Sequence, residues 1–145
     1  MAQNTVTIIY NYFLTFKAHA GIILEATNKL PLIYSCSGCS NIAQVANQVA
    51  IDLNREQKAE MSCIAGIGGN VKSLVKLAKS GRTIIALDGC ALHCVKSCLA
   101  QQGISANKHY TLTDHGIKKQ YNFDFDASEV ALIKQQVLHD LSAAD

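Results

Sequence analysis

The chemistry in this sequence sits in its cysteines, six of them in 145 residues. Cys36 and Cys39 form a C-x-x-C pair in Tyr34-Ser35-Cys36-Ser37-Gly38-Cys39. Cys90 and Cys94 stand four residues apart in Asp88-Gly89-Cys90-Ala91-Leu92-His93-Cys94, and Cys98 follows four residues later. Cys63 stands alone in Met61-Ser62-Cys63. Thiolates are soft ligands, and two closely spaced pairs make a donor set that suits either a tetrahedral zinc or an iron–sulfur cluster. Without a metal, the same thiols suit redox chemistry. The plain alternative is packing, because free cysteine is among the most buried residue types.

Spacing ranks the cysteines. If a helix runs from Cys90, then Cys90 and Cys98 lie about 12 Å apart along its axis. Sulfurs sharing one tetrahedral zinc must lie within roughly 4 Å of each other. Cys90 and Cys94 can share a metal, and Cys98 falls with Val95 and Leu99 on the core side. The expected ligands are Cys36, Cys39, Cys90 and Cys94, with Cys63 as an alternative ligand and Cys98 as core. A helix opening at Cys90 would also turn its positive dipole end and free N–H groups toward that thiol. Asp88 is read first as a cap for this helix. His93 is read as a surface residue, and Asp114-His115 as an ordinary turn on the same rim.

The elements that must position these residues follow from the hydrophobic pattern. Short apolar runs predict strands at 32–35, 58–64, 83–87 and near 108–113. Period-3.6 patterning predicts a helix over 41–54 with Ile42, Val45, Ala46, Val49 and Leu53 inward, opened by an Asn41/Gln44 capping box. A glycine loop at 66–69 precedes a helix capped by Asn70 and stopped by Gly81, with Lys72, Lys76 and Lys79 on its solvated face. The cysteine helix should span 90–101. A last helix starts at Ser128, with Val130, Ile133, Val137, Leu138 and Leu141 inward. Alternating strands and helices predict an α/β fold: a single three-layer, doubly wound domain with a mostly parallel sheet of four to five strands in flavodoxin-like order 2-1-3-4. In that order the loops after strands one and three face each other across the switch point, where ligands bind, so the cysteine groups should converge.

Composition narrows the classes. Hydrophobic residues make up 49% of the chain, enough for a real core, and cysteines at strand ends of a regular α/β chain speak for reduced thiols rather than a secreted disulfide scaffold. The net charge is +2 and arginine occurs only at Arg55 and Arg82, so no nucleic-acid footprint is expected. No apolar run is long enough to span a membrane. A cytoplasmic location is expected. Residues 1–28 contain a β-prone apolar run at 5–16. Ala18-His19-Ala20 resembles a signal cleavage site, but the first residues lack the positive charge a signal needs. The segment is read as an extension, either an extra strand or a loosely attached leader, before a cysteine-rich α/β domain at 29–145.

Tyr34-Ser35-Cys36-Ser37-Gly38-Cys39, Met61-Ser62-Cys63-Ile64-Ala65-Gly66-Ile67-Gly68-Gly69 and Asp88-Gly89-Cys90 with Cys94, in that order, resemble the DGC-domain family, named for its Asp-Gly-Cys motif. The resemblance covers residues 29–137 and implies a small cytosolic domain with cysteine zinc ligands and no established reaction. The expected function is zinc binding in a structural, trafficking or sensing role. The alternative is an iron–sulfur or thiol-redox protein using the same cysteines, and a small-ligand module on the glycine loop is the third reading. No catalytic residue is assigned, the protein partner is unknown, and the glycine loop lacks the Gly-Lys-Ser/Thr of a P-loop.

Overall fold

Strands form where apolar runs can be buried on both faces. A computed structural model of the chain describes residues 29–143. The segment 1–28 and the readings attached to it lie outside the described residues. β1 (Leu32–Ser35) and β3 (Ile84–Asp88) are buried along their whole length, as central parallel strands require. β2 (Glu60–Met61) and β4 (Lys108–Thr111) flank them. The order is β2-β1-β3-β4 with every pair parallel, so the α/β class and the order read from the sequence both hold.

The helices follow from this winding. They are α1 (Asn41–Arg55), α2 (Ile64–Gly68), α3 (Lys72–Ala78), α4 (Cys94–Gln101) and α5 (Ala127–Ser142). The chain moves outward from β1 to β2, then returns past β1 to β3. Right-handed crossovers therefore place α1 on one face and α2 to α4 on the other. The packing agrees: α1 meets α5, and α2 meets α4. The core is one cluster in which β1, β3 and the inner face of α1 (Ile42, Val45, Ala46, Val49, Leu53) are fully enclosed.

Several boundaries differ from the expected ones, each for a local reason. The cysteine helix opens at Cys94, not Cys90. Residues 90–93 form a turn closed by His93 N–H to the Cys90 carbonyl, and His93 sits in the left-handed region (φ 50°) that a right-handed helix cannot include. The glycine stretch is the short helix α2. Its Gly66 lies under Leu74 of α3, so close packing outweighs glycine's poor helix propensity. Asn70 is left-handed (φ 55°) and Val71 holds the cap position of α3. At α1 the cap position belongs to Ser40, and Asn41 bonds to a distant loop instead of forming a capping box. β4 ends at Thr111 and runs into a 3-10 turn, Leu112–His115. α5 is capped by Asp126, which accepts from the Ser128 N–H at 2.7 Å.

Candidate functional site

β1 and β3 lie side by side in register, Ser35 beside Leu87, so both chains leave the sheet at one rim. Cys36 is the first residue past β1. It is buried, and its sulfur accepts the Gly89 N–H at 3.1 Å. Burial pushes the Cys36 thiol up to about 11; the Gly89 hydrogen bond pulls the other way, and the charges of Asp88, Cys94 and Cys90 push it further up. The structure thus sets the Cys36 sulfur against Gly89, the residue before Cys90, at the shared rim. Cys39, at the tip of the loop after β1, Cys63, just before α2, and Cys94, at the start of α4, are exposed.

The Asp-Gly-Cys run has a physical explanation residue by residue. Asp88 ends β3 with 1% of its surface exposed. Its carboxylate accepts from the Val95 N–H at 2.8 Å and the Lys96 N–H at 3.2 Å, so it caps α4 from the end of the neighbouring strand. The capping role read for Asp88 is thus correct, although the helix it caps begins later. The helix's positive end lies at Cys94 rather than Cys90. Gly89 passes against the first turn of α1. A Cβ there would meet the Ile42 carbonyl oxygen at 3.1 Å, so no larger residue fits without displacing backbone. The same close pass lets its N–H reach Cys36.

Cys90 is half-buried and has a partner of opposite character. The Lys119 ammonium donates to its sulfur at 3.4 Å. The Lys119 chain is fixed by Asn41, a buried residue at the start of α1. The Asn41 amide group donates to the Lys118 carbonyl at 3.0 Å, and its oxygen accepts the Gln120 N–H at 2.8 Å. The Asn41 N–H donates to the Gln120 carbonyl at 3.1 Å. The loop continues through Tyr121, which bridges to Ser40, and the Lys119 ammonium lies 5.2 Å from the Tyr121 ring centroid.

A polar cluster adjoins Cys94. His109 Nε2 lies 2.9 Å from Asp88 Oδ2, His93 Nε2 lies 3.1 Å from Thr111 Oγ1, and the two imidazoles meet edge to face with centroids 5.1 Å apart. Register explains it: Asp88 pairs with Thr111, and His109 lies two residues earlier on the same sheet face. His93 is thus half-buried in this cluster rather than a surface histidine. Cys98 is half-buried rather than core. Burial raises its thiol, with Cys94 and Asp88 adding to the effect. Its sulfur lies 3.0 Å from where a Cβ on Gly68 would sit, so Gly68 permits the contact of α2 with α4. Asp114 and His115 are exposed on the 3-10 turn. A cleft of about 470 Å³ is lined by Gln48, Asp52, Phe125, Val130 and Lys134, among others, and by none of the cysteines.

Sequence reasoning missed His109, Lys119 and Asn41. The strand alternation around Lys108 to Thr111 could have placed His109 beside Asp88 once the strand order was assumed. Nothing local marks Lys119, which meets Cys90 across 29 residues of chain.

These features define a cysteine-rich α/β protein with cysteine-bearing loops at the carboxyl rim of a parallel sheet. The DGC domain model matches residues 32–137, and the chain belongs to that family. It is 58% identical over 100 residues to the anaerobic and virulence modulator AnvM of Pseudomonas aeruginosa, a match covering 69% of this chain and 76% of that protein. No solved structure matches the chain significantly. Among the described residues no helix is long and apolar enough to cross a membrane.

Proposed function

We propose that this is a cytoplasmic regulatory protein whose rim cysteines bind zinc, with Cys36, Cys39, Cys90 and Cys94 as ligands and Cys63 as the alternative. The observation that supports this reading is that the cysteine-bearing segments after β1 and β3 leave the sheet at one rim, where the Cys36 sulfur accepts from Gly89 and the Cys90 sulfur from Lys119, so N–H donors already stand on two of the sulfurs. Donors of that kind accompany metal-bound thiolates, and thiol donors suit a soft cation. The donor chemistry therefore fits zinc. Among the described residues, however, no three His, Cys, Asp or Glu side chains stand ready as a closed cage. The loop carrying exposed Cys39 and the turn carrying Cys90 are the parts that would close around an ion. Bound there, zinc would tie together the segments that follow β1 and β3 and hold their thiols as thiolates.

The relative named as an anaerobic and virulence modulator supports a regulatory rather than catalytic role. A second reading, a thiol-redox or iron–sulfur protein using the same cysteines, draws on the same openness: all six cysteines are free. Elemental analysis of protein purified without added metal and without a histidine tag, beside a visible spectrum, separates the two. About one zinc per chain in a colourless protein supports zinc. A brown protein moves the assignment to a cluster, and a folded, colourless, metal-free protein moves it to bare thiol chemistry.

A further inference from the structure

Lys119 stands out on this rim as a cation set against a sulfur. Among the described residues it is the lysine or arginine whose side chain is hydrogen-bonded to a cysteine. Its placement is not that of a free surface lysine. Asn41, 3% exposed, grips the carbonyl before it and both the N–H and the carbonyl after it. Three hydrogen bonds from one buried side chain and its own N–H thus fix the backbone on either side of Lys119. The neighbouring Lys118 is exposed and lends only its carbonyl to this grip.

The chemistry that such a cation serves follows from charge. A zinc ion with four thiolates is a dianion, and a partly enclosed dianion needs compensating donors. An ammonium donating to a ligand sulfur supplies one, while leaving the sulfur's other electron pairs free for the metal. We propose that Lys119 is the outer-sphere partner of the cysteine centre, donating to Cys90 to offset its anionic charge, and that Asn41 is the positioning residue that holds Lys119 there. This rests on the zinc-binding reading. Lys119 itself touches no metal; it acts through Cys90.

The test uses the full chain and two probes, zinc(II) and cobalt(II). Zinc affinity is measured by competition with a chromophoric chelator, and the cobalt-substituted protein reports the thiolate-to-metal charge-transfer band. Loss of an outer-sphere partner typically weakens metal binding by about 10- to 100-fold. Lys119→Met should therefore bind zinc about 10-fold more weakly and shift the cobalt band, while unfolding of the metal-free protein changes little. Lys119→Arg, which keeps a charged donor, should restore most of the affinity. Asn41→Asp, which loses the donor to the Lys118 carbonyl, should weaken binding in the same direction, and Lys118→Met should not. Were Lys119→Met poorly folded, Lys119→Gln decides the same question, with loss of affinity expected. If the wild type takes up neither ion, the zinc reading fails and this inference with it. If the wild type binds both and the neutral variants match it in affinity and band position, the role of Lys119 alone is refuted.

Discussion

Replacing Asp88 by alanine should be among the most damaging single changes on the rim, and its cost can be worked from its contacts. The carboxylate receives the Val95 and Lys96 N–H groups and faces His109 Nε2 at 2.9 Å. Losing a cap costs about 1 kcal/mol. Val95 is fully buried, so its N–H is also left without water, at about 1–3 kcal/mol. These two overlap, and the lost His109 contact adds about 1 kcal/mol. A total of about 3 kcal/mol is expected, a large share of a small domain's stability of about 5–15 kcal/mol. Asp88→Asn keeps one acceptor oxygen for the Val95 N–H and should cost about half as much. Urea unfolding of the reduced, metal-free protein gives both values, provided the slope with denaturant is unchanged. Amide exchange should quicken at residues 94–97 before it does so in β3. A loss under about 0.5 kcal/mol for Asp88→Ala, the range of ordinary surface changes, would refute the capping argument.

Gly89→Ala should destabilise the protein by about 1–3 kcal/mol, because the new methyl meets the Ile42 carbonyl; unfolding indistinguishable from wild type would show that α1 yields easily. In metal-free protein the Cys36 thiol is raised from its ordinary 9.0 to about 11. The raised value means that its contribution to stability is fully present below the ordinary value and is lost as pH rises through about 11. Stability measured across that window should fall more steeply in wild type than in Cys36→Ala, and parallel curves would contradict the burial argument. Serine at Cys36, Cys39, Cys90 or Cys94 should each lower zinc retention, whereas Cys98→Ser should leave it nearly intact. Zinc lost from Cys98→Ser but kept by Cys94→Ser would overturn the ligand assignment.

The parts of the fold that were legible in the sequence are those fixed by burial. β1 runs over 32–35 as its apolar run requires, α1 differs from its periodic pattern by one residue at its end, and the strand order is the expected one. What was not legible depends on contacts between distant segments. The start of α4 is set by a carboxylate on β3 and by the left-handed turn at His93, and helical periodicity through 90–101 carries no trace of either. Consequently the spacing argument that separated Cys90 from Cys98 rested on a helix that does not include Cys90. α2 looked like a loop because its glycines suit one, yet they serve close packing against Leu74 and Cys98. The meeting of the segments after β1 and β3, with Cys36 against Gly89, was legible because it follows from strand order. Lys119 was not, because loop 116–126 takes its path from Asn41.

The central claim is that thiols from both strand ends share one zinc. X-ray absorption at the zinc edge, on protein loaded with a single equivalent, reads the donor set directly. Four sulfur neighbours at about 2.3 Å are predicted. A shell dominated by nitrogen or oxygen neighbours would contradict it.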